Sequence, residues 1–334
     1  MAWDRIRGHD PILKQFRTAF DRGRMAHAYL FLGPAGVGKR LFARELAKAL
    51  LCENPPASLT ACDHCASCSL VAADTHPDFS SYRKLEDKNE LTVEVVDDLV
   101  EKMGRKATRG LRKVIFVEDA ELINDASANK FLKTLEEPPP GSLLILRANS
   151  RESQLQTILS RCQTVAFHAL SADDVRSILQ SQGGIDATRI ERLVSMSHGS
   201  AGLAVALNSD ALWQFREMLI DTLTSLPFNG ATLAERWTKF VEEAGKESSL
   251  QRARTSLAVQ LLMDLLRRAA GLSLGGMATT FDEDRKLQPL ATRLGTDNLL
   301  KILEASLDAD RHVEQRVNLP LTIEYLVDRL AMAF

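Results

Sequence analysis

Tyr29-Leu-Phe-Leu32, then Gly33-Pro-Ala-Gly-Val-Gly38-Lys39-Arg40, then Leu41-Phe-Ala-Arg-Glu-Leu-Ala-Lys-Ala-Leu-Leu51 form an apolar run, a glycine-rich turn and an amphipathic run in immediate succession. That order predicts a buried strand, a turn and a helix, which is what a phosphate-binding loop requires. Glycines let several backbone N–H groups point at one anion, and the helix N-terminus adds its partial positive charge. Lys39 stands where an ammonium would meet the outer phosphates. The pattern G-x-x-x-x-G-K-[ST] holds from Gly33 to Lys39 and breaks at Arg40, where a Ser or Thr hydroxyl normally holds Mg²⁺. The loop is thus suited to binding a phosphate and ill suited to cleaving one.

The chain around this loop is long enough for two or three domains: 334 residues, 45% hydrophobic and 26% charged. A net charge of −2 excludes polyanion binding by bulk electrostatics, so any nucleic-acid contact has to come from a local patch. The first residues, Met1-Ala-Trp-Asp-Arg-Ile-Arg7, are charged where a secretion signal is apolar, and no apolar run approaches the roughly 20 residues of a membrane span. A cytoplasmic location is expected.

Upstream of the loop, Ile12, Phe16 and Phe20 recur at four-residue spacing between Pro11 and Gly23, which predicts a helix over 10–23. Downstream, apolar runs at 79–82, 114–117, 143–146 and 164–167 alternate with helical patterns at 92–103 and 125–137. Such alternation predicts a parallel sheet covered on both faces. Pro138-Pro139-Pro140 stops the second of those helices, because proline cannot continue the hydrogen-bond ladder. After Leu170 the strand patterns cease. Ser171 reads as an N-cap, three short helices follow to about Asn208, and the rest is helical, with long periodic stretches at 231–244, 249–271, 297–310 and 320–333. Trp213 and Trp237 read as core anchors of this last part.

Four of the five cysteines fall as Cys52-x9-Cys62-x2-Cys65-x2-Cys68 in a Pro/Ala/Ser-rich insertion. Clustered thiols on a short loop predict one closed structural Zn²⁺ site, since the metal supplies folding energy that such a loop lacks. Two disulfides or an iron–sulfur cluster would use the same residues. His64 reads as a bystander, because four sulfurs already satisfy the metal.

The second element of a nucleotide site is an apolar strand that ends in acids, and Val114-Ile-Phe-Val-Glu118-Asp119-Ala-Glu121 supplies it with the usual Asp-Glu order reversed. The carboxylate at 119 is then one methylene shorter and sits further from a water it has to polarise, and Glu118 displaces the metal contact; both changes weaken hydrolysis. Taken with His27-Ala-Tyr-Leu-Phe-Leu-Gly-Pro34, the four-cysteine insertion, Ala128-Asn-Lys-Phe-Leu-Lys-Thr-Leu-Glu-Glu-Pro-Pro139 and Ile158-Leu-Ser160-Arg161-Cys162, the chain resembles the bacterial DNA polymerase III clamp-loader branch of the AAA+ ATPases over residues 1 to about 207. Asn318-Leu-Pro-Leu-Thr-Ile-Glu324 extends the likeness more loosely.

The resemblance implies an α/β parallel-sheet AAA+ (P-loop) domain over 1–168 with a zinc-binding insertion at 52–68, a small helical lid domain over 169–209, and an all-α collar domain over 210–334 for assembly of a pentameric ring. It implies a nucleotide site formed by Gly33, Gly36, Gly38, Lys39, Arg40, Asp119 and Asn149, the last at the family's polar sensor position, although a loop amide capping a turn would look the same. It implies that Arg161 acts in trans on the γ-phosphate held by a neighbouring subunit; an ordinary surface arginine is the other reading. Three departures, Arg40, the inverted Glu118-Asp119 pair and Gly202 in place of a phosphate-sensing arginine, point to a subunit that does not turn over ATP, with ATP or ADP still able to occupy the loop. Implied partners are the gamma/tau and delta subunits, the sliding clamp and, weakly or through the complex, primer-template DNA. The helix at 92–103 corresponds to the family's DNA-facing helix but carries Glu94, Asp97, Asp98 and Glu101, which repel phosphates, while Lys102, Arg105, Lys106, Arg109, Arg112 and Lys113 read as a solvated basic loop. Two rivals stay open: an active gamma-type ATPase, and a zinc-containing nucleic-acid-binding module without a loading role.

Overall fold

The apolar runs become, in the computed structural model, the strands of one parallel sheet. Residues 2–84, 90–123, 125–276 and 282–334 are described, with side chains from Lys130 onward in the helix that begins at Asp125. Among these residues the sheet has five strands, β1 (Ala28–Leu32), β2 (Phe79–Tyr82), β3 (Lys113–Val117), β4 (Ser142–Ala148) and β5 (Gln163–Ala166), in the spatial order β2-β3-β4-β1-β5. Each expected strand is present, longer by one to three residues at β1, β3 and β4. Leu32 pairs with Ala148, and Val117 with Leu146. Because all strands run the same way, the segments leaving β1, β3 and β4 emerge side by side at one sheet edge, and these are the glycine-rich loop, Glu118-Asp119 and Asn149.

Alternate side chains feed two cores. On one face Tyr29, Phe31, Phe116 and Ile145 pack under α1 (Asp10–Asp21), α2 (Lys39–Leu51) and α3 (Ala66–Ala72). On the other, Leu30, Leu32, Val117 and Leu146 pack under α4 (Val93–Gly104), α5 (Asp125–Glu136) and the short α6 (Gln156–Leu159). Phe42 of α2 is fully buried with its ring 5.2–5.8 Å from those of Trp3, Phe16, Phe31 and Phe167, so it locks the helix that starts at Lys39 onto the sheet. Phe42→Ala would remove about 3–5 kcal/mol and loosen the helix that carries Lys39.

The chain divides into two compact units, Met1–Val205 and Ala206–Phe334. The first takes in α7 (Ala172–Gln182), α8 (Ala187–Ser197) and the start of α9 (Ala201–Leu207). Ser171 caps α7, its side chain accepting from Asp174 N, and Asp186 caps α8 in the same way. The second unit is helical, built from α10 (Asp210–Thr224), α11 (Gly230–Glu242), α12 (Ser248–Ser273), α13 (Asp282–Glu314, interrupted at Gly295 with φ 66°) and α14 (Leu319–Ala331). Trp237 is fully buried there, edge-on to Phe215, whereas Trp213 is only half-buried and is not a central anchor. Arg216, also fully buried, is neutralised by Asp264 at 2.9 Å and Glu283 at 3.0 Å. No helix is long and apolar enough to cross a membrane among the described residues.

Candidate functional site

Gly36 and Gly38 take φ of +75° and +106°, backbone that only glycine adopts without strain, and the turn they make delivers Lys39 as the first residue of α2. Lys39 is 3% exposed. Its ammonium donates to the carbonyls of Gly33 and Pro34, the latter at 2.6 Å, and stands 3.5 Å from Asn149 Oδ1. Asn149 Nδ2 in turn donates to Glu121 Oε1 at 3.1 Å. One amide therefore links the loop lysine to a carboxylate beyond β3, more than a turn-capping role requires. Burial, and next the Arg147 guanidinium, lower the Lys39 ammonium to about 8, with Glu121 opposing them. Burial also pushes the Glu121 carboxyl up.

Both members of the inverted acidic pair are held by arginines. Arg40 Nε lies 3.1 Å from Glu118 Oε1, which also accepts from Ser81 Oγ at 3.2 Å. Asp119 Oδ1 accepts from Arg147 Nη2 at 2.7 Å, and its other oxygen from Lys84 N at 3.3 Å. Arg147 Nε further donates to the Glu118 carbonyl. Arg147 and Ser81 thus complete a site that motif reading found only in part. The available signal for Arg147 was a charge inside the otherwise apolar run of β4.

Next to the loop is a cavity of about 420 Å³ lined by Gly36, Gly38, Lys39, Arg40, Leu41, Arg44 and Arg147, four cations and no carboxylate among the described residues. A second cavity, of about 300 Å³, is mostly apolar and is lined in part by Ile6, His9, Val37, Leu41, Leu170, Ile178 and Val205. His9 belongs to it through Nε2, 2.8 Å from the Val37 carbonyl oxygen, and was not flagged by motif. The start of α9 closes on the loop: Gly202 N donates to Gly36 O at 2.9 Å, and a Cβ at 202 would lie 2.8 Å from Gly36 Cα. A long cationic side chain has no room to leave residue 202 on that side.

The four sulfurs of Cys52, Cys62, Cys65 and Cys68 lie within 4.8 Å of one another, with Cys52–Cys65 and Cys62–Cys68 both at 4.0 Å. Disulfides need about 2.05 Å, whereas a tetrahedron with Zn–S near 2.3 Å has edges of about 3.8 Å. The donor set fits zinc. Backbone N–H groups of Cys62, Cys65 and Cys68 point at the sulfurs of Cys52, Cys62 and Cys65 at 3.3–3.4 Å, the arrangement that stabilises thiolates. Burial raises the Cys65 thiol, but hydrogen bonds from the Cys68 and Glu53 backbone and from the Cys68 and Cys62 side chains outweigh it and leave Cys65 at about 6; burial pushes Cys68 well up. His64 is exposed, its Nδ1 2.7 Å from the Cys62 carbonyl oxygen, and stands outside the sulfur cluster. Cys162 is buried and raised to about 12, which suits an inert core thiol.

Arg161 follows α6 and pairs with Glu136, the last residue of α5. On α4 the acids are not bare: Asp97 pairs with Lys130 at 2.8 Å, Asp98 with Lys102 at 3.0 Å, and Glu101 with Arg105. The basic run is not simply solvated either. Lys113 is buried, its ammonium donating to the carbonyls of Lys102, Arg105 and Lys106, and Arg109 pairs with Glu53 at 2.8 Å. Its loop folds around those buried bonds, a feature that charge counting does not reveal.

The profile of the family described as "DNA polymerase III, delta subunit" matches residues 8–171. The chain is 32% identical over 302 residues to the DNA polymerase III subunit delta' of Escherichia coli (strain K12), covering 88% of this chain and 84% of that one. It is 36% identical over 220 residues to the subunit delta' of Pseudomonas aeruginosa, covering 65% and 67%. It is also 32% identical over 173 residues to the DNA polymerase III subunit tau of Escherichia coli (strain K12), covering 52% of this chain and 26% of that one.

Proposed function

Since this chain belongs to the DNA polymerase III delta-prime family, we propose that it serves as the clamp-loader member that completes a neighbour's ATP site without hydrolysing ATP itself. One observation carries the second half of this reading: Glu118 and Asp119 are each engaged by a guanidinium, from Arg40 and Arg147. Hydrolysis needs those carboxylates for Mg²⁺ and for a polarised water. Here their charge is already met.

On this reading the glycine-rich loop, through Gly33, Gly36, Gly38, Lys39 and Arg40, holds the phosphates of ATP or ADP at most as a static ligand, with Asn149 beside them. Arg161 provides in trans the positive charge that a neighbour's transferring phosphoryl group needs. Cys52, Cys62, Cys65 and Cys68 hold a structural zinc, which fastens the insertion between α2 and α3. Residues 1–168, 169–209 and 210–334 act as AAA+, lid and collar domains. The partners are gamma/tau and delta subunits in a pentameric ring, the sliding clamp, and primer-template DNA met mainly through the complex, in the cytoplasm.

Reconstitution tests this reading. Mixed with gamma/tau and delta subunits, the chain should enter a ring that loads the sliding clamp onto primed DNA in an ATP-dependent manner, and leaving it out should abolish loading. A ring that forms and loads equally well without it would refute the proposal.

A further inference from the structure

We propose that Glu136 is the positioning residue for Arg161, its carboxylate fixing the guanidinium so that the remaining N–H of Nη2 stays available to an anion from outside the chain. The inference rests on the trans-acting role given to Arg161 above and adds the group that aims it. A guanidinium offers five N–H donors in a rigid fork. Arg161 Nε donates to Glu136 Oε1 at 2.8 Å, Nη2 donates to the same oxygen, and Nη1 donates to the Thr157 carbonyl at 3.1 Å and Ser160 Oγ at 3.2 Å. Glu136 therefore occupies the side-on edge. The second N–H of Nη2, on the end-on edge, meets no acceptor among the described residues.

Stability does not explain this pair. The Arg161 side chain is 33% exposed and that of Glu136 51%, and ion pairs so exposed contribute little to folding. A carboxylate in the last turn of a helix also opposes the helix dipole. Orientation does explain it. Glu136 ends α5, where Pro138-Pro139-Pro140 stops the helix, and an arginine gripped on three of its nitrogens has little freedom left to lose when it meets a phosphate. The carboxylate's own charge opposes the approach of an anion, a cost that the held geometry outweighs.

The test uses the reconstituted complex, with the ATP sites that Arg161 does not serve disabled. Glu136→Ala should slow DNA-stimulated ATP hydrolysis about tenfold through kcat with KM for ATP unchanged, as misplacing a catalytic group does. Arg161→Ala should cost on the order of 10³-fold. Combined with Arg161→Ala, Glu136→Ala should add nothing, and Glu136→Gln, which keeps an acceptor oxygen, should recover most of the single variant's loss. A wild-type rate for Glu136→Ala beside a slow Arg161→Ala overturns the positioning role alone. A raised rate overturns it in favour of restraint, and a further loss in the double variant shows an effect on folding instead. A wild-type rate for Arg161→Ala removes the trans-acting role and this inference with it.

Discussion

Arg40 Nε stands 3.1 Å from Glu118 Oε1, so a guanidinium bridges the glycine-rich loop and the acidic end of β3. In a hydrolysing site that ground belongs to Mg²⁺ and its hydroxyl ligand. The expected outcome is no phosphate release above background by the purified chain with ATP and Mg²⁺. Arg40→Ser alone should stay silent, because Arg147 still holds Asp119 and residue 202 remains glycine. Robust turnover by the wild-type chain that Lys39→Ala abolishes would sink this expectation.

Gly202 gives a second expectation. Its Cβ position lies 2.8 Å from Gly36 Cα, which is backbone and cannot rotate away. Gly202→Ala should therefore destabilise by about 1–3 kcal/mol, the usual cost of overpacking, and Gly202→Arg by at least as much without creating a phosphate sensor. Urea unfolding followed by circular dichroism measures it. Midpoints equal to wild type would mean that α9 swings freely off the loop.

The sheet was legible because buried strands and turn glycines are local signals. Tyr29–Leu32 and Val114–Val117 declare themselves in sequence, and strand direction then forces Gly33, Glu118 and Asn149 to one edge. What the sequence withheld was pairing at a distance. Arg147 against Asp119, Glu136 against Arg161 and Lys130 against Asp97 join residues 25–33 positions apart, and no periodicity encodes which arginine meets which acid. The acids of α4 looked repulsive for the same reason: a count of charges leaves out their partners. Likewise Gly202 read as a lost arginine, while its tight contact with Gly36 needed the fold to be seen.

Lys39 makes stability depend on pH in a stated direction. Burial brings its ammonium to about 8 in the folded chain, against 10.5 as the ordinary value. Below about pH 8 both states carry the proton and the group adds no slope. Between about 8 and 10.5 the unfolded chain holds a proton that the folded one has released, so stability rises with pH. Relative to Lys39→Met, the wild type should thus gain stability from about pH 7.5 to about pH 10 in urea titrations. A difference that stays flat or shrinks over that window would show that Lys39 keeps its proton in the folded chain.

Zinc is the most local expectation. The insertion over 52–68 has little core of its own beyond Leu59, Ala61 and the cysteines, and its polar ties to the rest of the unit are single contacts: Trp3 Nε1 donates to Leu59 O at 2.7 Å, Lys48 pairs with Asp63 at 2.7 Å, Arg109 pairs with Glu53 at 2.8 Å and Ser58 Oγ donates to Asp21. Four sulfurs at tetrahedral spacing, with amide N–H groups directed at three of them, supply what the packing lacks. Protein purified without chelator should contain about one zinc per chain, and Co²⁺ substitution should give the absorption of a tetrahedral thiolate site. Stripping the metal should lower the melting temperature and change the emission of Trp3, while Cys68→Ser should lose both the metal and this response. Because the cluster lies on an insertion away from the glycine-rich loop in sequence, the sheet's circular dichroism should largely survive. Finding less than about half an equivalent of zinc, or iron in its place, would sink the zinc assignment, and a melting temperature indifferent to chelator would show that the insertion holds itself together by its protein contacts alone.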